Sequence, residues 1–435
     1  MTPTLTGLIG FAVLILLMFL RLPVGFVMAI VGYLGFGVLV SWSAAANLLI
    51  RDFYSTFSAY NLTVIPLFVL MGQVAFHSGI SSRLFNAAHK FFGHLPGGLA
   101  VATIGACAAF SAVCGSTSAT AATMASVALP EMKKYKYDPA LATGVVAAGG
   151  SLGILIPPST IFIIYGIMTE QSIGELFMAG VVPGILLSCF FVLSILIWTA
   201  FRPEIGPRGP KSSWKERGKS LSGLIETLIL FLLVMGGLFA GFFTPTEAAG
   251  IGAAGTIVIA LIGRTLSWKG FQNALYDTTR ITCMIFVVVA GATVFGHFLA
   301  VTRIPADIGT FVSGLQLPGI VIMGLIIVIY LLLGCLMDSL AMIMLTIPIF
   351  YPVVLTLGFD PVWFGVIIVV VAEMGVITPP VGINAYVVAG VARDVPLHVI
   401  FKGSLYMLYA MFALALLLII FPQIATWLPH LMRPS

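Results

Sequence analysis

A pair of adjacent prolines interrupts each of two long apolar stretches. Ile154-Leu-Ile-Pro-Pro-Ser-Thr160 lies within residues 139–168, and Val376-Ile-Thr-Pro-Pro-Val-Gly382 within residues 361–392. Each proline removes a backbone donor and clashes with the preceding turn, so a double proline breaks a helix. Stretches this long and apolar read as membrane segments. Broken backbone at membrane depth survives only inside protein or beside a polar cavity. Two further apolar stretches are interrupted by small or polar residues: 95–130 by Cys114-Gly-Ser-Thr-Ser118, and 317–352 by Gly334-Cys-Leu-Met-Asp-Ser339. They read as re-entrant hairpins. The four interruptions are where function is to be sought.

Composition supports the membrane reading. The 435 residues are 60% hydrophobic and 8% charged, whereas a soluble domain carries about 25% charged residues. The same figures exclude disorder, collagen and a secreted disulfide scaffold. Continuous rather than alternating apolar runs exclude an outer-membrane barrel. An all-α polytopic membrane protein remains. Unbroken spans are expected near 5–20, 24–41, 59–78, 176–200, 221–243, 244–262, 280–300 and 398–423. No Lys or Arg precedes the first, which reads as an ordinary span rather than a cleaved signal. The five cysteines form no CxxC and read as small packing residues.

The interruptions recur at one constant offset in the numbering, +222. Pro23 maps to Pro245, Leu95-Pro96-Gly97 to Leu317-Pro318-Gly319, Asp138-Pro139 to Asp360-Pro361, Gly153 to Gly375, and Pro157-Pro158 to Pro379-Pro380. Of twelve prolines in residues 1–213, seven fall on proline at this offset, against about 0.7 expected from 24 prolines in 435 residues. Pro207 to Pro429 is one of the seven and lies outside the repeat. Apolar likeness among spans does not produce shared Asp-Pro and Pro-Pro positions. Each repeat then holds three spans, a re-entrant hairpin, a Pro-Pro broken helix and a fifth span. Five crossings are odd, so the second copy is inverted, with sites built by discontinuous helices near the midplane.

An inverted pair requires basic residues to segregate by side. With both termini periplasmic, the cytoplasmic side receives Arg21, Arg83, Lys90, Lys133, Lys134, Lys136, six residues between Arg202 and Lys219, Arg264, Lys269, Arg280, Arg393 and Lys402, which is 17 of 20. The other side receives Arg51, Arg303 and Arg433. Equivalent loops differ most: Glu131-Met-Lys-Lys-Tyr-Lys-Tyr-Asp138 is Lys-rich, and its copy 352–360 has no Lys or Arg. Segments 80–92 and 303–314 are amphipathic and too polar to span, so they read as helices lying along the interface. The basic stretch 202–219 reads as a mobile cytoplasmic linker. The expected organisation is 1–94 (scaffold helices and first arm), 95–200 (hairpin, broken helix and fifth span), 201–220 (linker), 221–316 (scaffold and second arm) and 317–435 (second hairpin, broken helix and last span).

Hairpin tips and unwound helices expose carbonyls and N–H groups. Carbonyls and hydroxyls suit a hard cation, and helix N-termini suit an anion. Repeat one offers Ser111, Ser116, Thr117, Ser118, Ser151, Ser159 and Thr160, with Gly115 and Gly153 allowing close backbone approach. Repeat two offers Gly334, Asp338, Ser339, Gly375, Thr378 and Asn384. Neutral oxygens predominate, which favours Na⁺ over protons. Asp338 stands out, because a carboxylate inside the membrane is a functional-site hypothesis by default; capping a helix at the tip is its alternative role. Glu247 follows Thr244-Pro-Thr and reads as a capping acid. Glu373, one turn before a break, reads as structural, and Glu226 and His297 as interface residues. No P-loop and no HExxH occurs, so neither a nucleotide-driven pump nor an enzyme is expected.

These runs resemble the large membrane (M) subunit of TRAP transporters, the tripartite ATP-independent periplasmic carriers. Phe110-Ser-Ala-Val-Cys-Gly-Ser-Thr-Ser-Ala-Thr-Ala-Ala-Thr-Met124, Gly153-Ile-Leu-Ile-Pro-Pro-Ser159 and Gly375-Val-Ile-Thr-Pro-Pro-Val-Gly-Ile-Asn384 look like that family's hairpin and break signatures. The resemblance covers nearly the whole chain. It implies a Na⁺-driven elevator in the bacterial inner membrane, importing an organic anion such as a C4-dicarboxylate, sialic acid or another sugar acid. It implies as partners a small four-helix membrane (Q) subunit, here a separate polypeptide, and a periplasmic substrate-binding (P) protein. No nucleotide, organic cofactor or nucleic acid is implied. It places one Na⁺ among Ser111, Cys114, Gly153, Ile156 and Pro158, and a second among Gly334, Gly375 and Thr378. Substrate contacts fall at Ser116, Ser118, Ser159 and Asp338. Members often carry Ser where this chain has Cys114, so its carbonyl is the expected ligand. A different class open to the same breaks is an ion channel or scaffold subunit with the re-entrant loops forming a pore.

Overall fold

The computed structural model describes residues 2–20, 22–314 and 317–432. Arg21 and Arg433, two residues of the orientation count, lie outside them. Among the described residues every regular element is a helix. Among the described residues seven helical stretches are long and apolar enough to cross a membrane, the longest being Trp268–Thr302 and the 31-residue stretch Pro139–Thr169. Shorter apolar helices include Pro3–Met18, Val24–Leu39, Gly98–Cys114, Gly319–Gly334 and Pro361–Val376.

Local chemistry sets the boundaries at the four interruptions. Gly98–Cys114 ends at Gly115, whose φ of +65° is the left-handed conformation that closes a helix. Ser116 then caps the second arm of this hairpin, Thr117–Lys134. The second hairpin pairs Gly319–Gly334 with Ser339–Thr356, and Asp338 is the cap. The second arms of the two hairpins correspond at both ends, Thr117 with Ser339 and Lys134 with Thr356. Asp138 and Asp360 cap Pro139–Gly150 and Pro361–Val376, each with proline in the first turn, where its missing N–H costs nothing. The first break follows the short helix Leu152–Leu155, and the chain resumes as Thr160–Thr169. The second break lies between Val376 and Ile383–Val391. Both Pro-Pro peptide bonds are cis.

Helices meet through glycine at the tightest crossings. Val24–Leu39 packs along Trp268–Thr302, where a Cβ built on Gly291 would fall 2.0 Å from the Gly25 carbonyl oxygen. Pro139–Gly150 packs along Leu397–Ile420, where a Cβ on Gly403 would fall 1.8 Å from the Ala140 carbonyl oxygen. Small residues of this kind let membrane helices approach at backbone distance.

Two departures from the sequence expectations stand out. Trp42–Ser58 is an additional helix, and Trp268–Thr302 begins well ahead of the span expected near 280–300. Both carry polar residues that pair across elements: Asp52 accepts from His297 Nδ1 (2.8 Å) and Asp277 from His77 Nε2 (3.0 Å). The linker is pinned rather than free. Gly206 and Ile205 carbonyls accept from Gly97 and Asp138 N–H (both 2.9 Å), Tyr137 Oη donates to Pro207 O (3.0 Å), and Gly209 N–H donates to Gly93 O (2.8 Å). Within it Ser213 and Glu216 form a capping box that starts Trp214–Ser220, and the Ser213 N–H holds the Glu216 carboxyl below the usual range. Ile80–Phe92 and Ile304–Gly314 are helical as expected, and Arg83 of the first pairs with Glu226 at 2.8 Å.

Candidate functional site

The four interruptions, far apart in sequence, converge on one cleft of about 130 Å³, room for several waters. The first tip contributes Ser116, Thr117 and Ser118, and the second Asp338, Ser339 and Leu340. Thr160 and Ile161 come from the first break, and Val376 and Ile383 from the second. The opposite wall is Val69 and Gln73 with Ile281, Met284 and Ile285. The first residues of four helices, those beginning at Thr117, Thr160, Ser339 and Ile383, therefore face a single space. Helix N-termini present unpaired N–H groups and a partial positive charge. No Lys, Arg or His is among the lining residues.

Each tip also closes on the break of its own half. Thr160 donates from Oγ1 (3.0 Å) and N (3.5 Å) to the Gly115 carbonyl. A Cβ built on Gly115 would lie 2.8 Å from Pro158 O, and one on Gly153 would lie 2.4 Å from Ser116 O and 2.9 Å from Thr120 Oγ1. Among the described residues Thr120 Oγ1 is buried with no hydrogen-bond partner of ordinary geometry. In the other half Gly375 abuts Gly334, where a Cβ on Gly375 would fall 2.3 Å from the Gly334 carbonyl carbon. Val381 N–H donates to Cys335 O (3.2 Å). The first contact concentrates carbonyl and hydroxyl oxygens and the second carbonyl oxygens, donors that suit a hard cation. Among the described residues no group of three or more His, Cys, Asp or Glu is placed to hold a metal.

Three of the expected substrate residues, Ser116, Ser118 and Asp338, line the cleft. Ser159 does not: it is fully buried, and its Oγ accepts from Phe162 N–H (3.3 Å). Asp338 lines the cleft and caps the helix leaving the second tip, accepting from Ala341 N–H (2.7 Å). In the first ion set Ser111 is fully buried and donates to Cys107 O (2.6 Å). The Cys114 carbonyl faces the opposite wall, 2.8 Å from a Cβ built on Gly72, and the Ile156 side chain packs on Gly184. Gly153 and Pro158 meet the first tip. In the second set Gly334 and Gly375 touch, and Thr378 Oγ1 donates to Met374 O.

Two residues have larger roles than their sequence positions indicate. Glu373, 1% exposed, accepts from Thr117 Oγ1 (2.9 Å) and Ser339 Oγ (3.0 Å). Asn384 donates to Thr117 Oγ1 (2.9 Å) and to Ala147 O (3.0 Å), crossing from the second half to the first. Thr120 also falls outside the expected set; its signal is its place one turn beyond Ser116 on the helix leaving the tip.

Comparison with known proteins matches this architecture. Residues 11–424 fit the family described as the tripartite ATP-independent periplasmic transporter, DctM component. The C4-dicarboxylate TRAP transporter large permease protein DctM of Pseudomonas aeruginosa is 35% identical over 378 residues, covering 87% of this chain and 88% of that protein. The sialic acid TRAP transporter large permease protein SiaM of Vibrio cholerae is 34% identical over 416 residues, covering 95% and 96%. In fold the chain is similar to the YdaH transporter of Alcanivorax borkumensis, with a TM-score of 0.64, 15% identity, and coverage of 90% of this chain and 89% of that one. With a family match across nearly its whole length and large permeases as its relatives, the chain belongs to the DctM family and is the large membrane subunit of a TRAP transporter.

Proposed function

We propose that this subunit imports a small organic anion, received from a periplasmic binding protein, by Na⁺-driven elevator movement. The observation that carries the reading is the cleft: four helix N-termini and a set of hydroxyls converge on it without one basic side chain among its lining. An anion there draws on helix dipoles and free N–H groups. It also draws on cations held nearby. The C-terminal ends of the paired helices, at Cys114, Ile154 and Val376, reach the same cleft, and their carbonyls suit Na⁺. One Na⁺ sits where Gly153 and Pro158 meet the first tip, with Ser111, Cys114 and Ile156 around it and Thr120 Oγ1 added. The other sits at Gly334, Gly375 and Thr378. Na⁺ at these ends supplies the charge that completes the anion site, which gives a physical reason for coupling. The relatives' names give C4-dicarboxylate and sialic acid, both carboxylates, and the same class is proposed here.

Alternating access follows from an inverted repeat. Its support is the end-to-end correspondence of element bounds between the halves, Thr117–Lys134 with Ser339–Thr356. Further support comes from matched packing: Val24–Leu39 on Trp268–Thr302, and Pro245–Ile262 on Val64–His77. The hairpins and broken helices form the moving part, and the wall of Val69, Gln73 and Ile281–Ile285 belongs to the fixed part. The small Q subunit braces the fixed part in the inner membrane, and both termini are periplasmic. The test is uptake into proteoliposomes holding this chain, its small subunit and its binding protein. Accumulation should require an inward Na⁺ gradient; equal uptake with choline replacing Na⁺ refutes the coupling.

A further inference from the structure

We infer that Glu373 is a positioning residue that ties the two hairpin tips together, so that the two ion sites fill as a unit. The inference rests on the Na⁺-driven reading and extends it to how the sites communicate. Thr117 and Ser339 occupy equivalent places in the repeat, each the first residue of the helix leaving its tip and each directly after the capping residue. Their hydroxyls do not serve separate partners. Both donate to one carboxylate, Thr117 to Oε2 and Ser339 to Oε1, and that carboxylate is 1% exposed. It belongs to the helix entering the second break.

The first half reinforces the same knot. Ser151, which the repeat places opposite Glu373, is fully buried beside this carboxylate. Asn384, just beyond the second break, donates to Thr117 Oγ1 and to Ala147 O of the first broken helix. Each tip and each broken helix thus contributes at least one member to a single polar cluster. Among the described residues Glu373 has no ion-pair partner, so hydroxyl donors are what hold its oxygens in place of water. An under-bonded carboxylate in such a place is expensive. If the first tip shifts away when its ion leaves, Thr117 withdraws and Glu373 is left short of a donor, which penalises the arrangement at Ser339 as well. Two contacts that share one acceptor are energetically coupled rather than independent.

The test needs only Na⁺ as probe. The detergent-solubilised complex of this chain with its small subunit is melted across a NaCl titration, with choline chloride holding ionic strength constant. The wild-type midpoint should rise steeply, with a Hill coefficient near two. Glu373→Gln keeps the shape but replaces one acceptor by an NH₂ donor, so it cannot accept from both hydroxyls. Its Hill coefficient should fall toward one and its half-saturating Na⁺ should rise at least about fivefold, the low end of allosteric coupling. Thr117→Val should reproduce part of this, and combining it with Glu373→Gln should add nothing. Ser339→Thr, which keeps the hydroxyl, should restore wild-type steepness where Ser339→Ala loses it. General destabilisation lowers the midpoint at every Na⁺ concentration but leaves the steepness alone. Unchanged steepness in Glu373→Gln, or additive effects of Thr117→Val and Glu373→Gln, overturns the inference while leaving Na⁺ coupling intact. A wild-type midpoint indifferent to Na⁺ overturns both. Should Glu373→Gln not fold, Thr117→Val and Ser339→Ala decide: lost steepness in each supports the tie, and unchanged steepness in both overturns it.

Discussion

Asp338 combines a helix cap with a place on the cleft wall, and mutation can separate the two. Its carboxylate caps the helix leaving the second tip and also faces the cleft. Asn caps a helix about as well as Asp, whereas Ala forfeits roughly 1 kcal/mol. Asp338→Asn should therefore melt within about 0.5 kcal/mol of wild type yet lose most uptake, and Asp338→Ala should lose uptake and about 1 kcal/mol as well. Thermal melting and proteoliposome uptake on the same preparations check this; normal uptake by Asp338→Asn removes the residue from the substrate site. Asp338 was legible in the sequence because a carboxylate inside an apolar run is conspicuous by itself. Glu373 reads from the sequence only as a structural residue one turn before a break. Its partners lie 256 and 34 residues away, distances that no helical spacing rule connects. The available signal was indirect: hydroxyl residues at both Thr117 and Ser339, positions related by the repeat.

At the scale of the element, what the sequence disclosed depended on continuous apolarity. The two broken helices were legible because Pro-Pro inside an apolar run has one physical consequence. Trp42–Ser58 was not, because it buries only a narrow stripe, Ala45, Asp52 and Thr56, and offers polar residues such as Arg51 elsewhere. The early start of Trp268–Thr302 was hidden in the same way by Lys269, Asp277 and Arg280. The linker's composition reads as solvated, yet its backbone bonds to Gly93, Gly97 and Asp138 depend on where other helices end. Packing between elements rests on glycines whose importance only the crossing reveals. On Gly403 a methyl group would fall 1.8 Å from the Ala140 carbonyl oxygen, and on Gly250 it would meet nothing within 4 Å. Overpacking of this kind costs about 1–3 kcal/mol or more, while Gly→Ala in an open helical position gains about 0.5–1 kcal/mol. Gly403→Ala should therefore lower the melting midpoint of the purified complex markedly, and Gly250→Ala should hold or raise it. Equal midpoints would mean that the two helices do not cross at backbone distance.

At the scale of the whole molecule the repeat and the charge distribution make one joint claim, which equivalent positions can decide. Lys134 and Thr356 are the last residues of the two hairpins' second arms, equivalent in the repeat and both exposed. If the halves are inverted, these two matching sites face opposite sides of the membrane. The sequence points the same way, with three lysines at 133–136 and no Lys or Arg at 352–360, because basic loops are retained in the cytoplasm. The fold does not choose between orientations, since a helical bundle can be turned over without changing a contact. Cys189 and Cys283 are exposed and should be replaced first. In that background Thr356→Cys should react in intact cells with a maleimide that cannot cross the inner membrane, and Lys134→Cys only after permeabilisation. Labelling of both from one side would break the inversion, and with it the assignment of equivalent ion sites in the two halves. The reversed pattern would keep the inversion and turn the molecule over, placing its termini in the cytoplasm and its cleft on the wrong path for a periplasmic binding protein. The experiment therefore tests separately the architecture that builds the cleft and the orientation that makes it an importer.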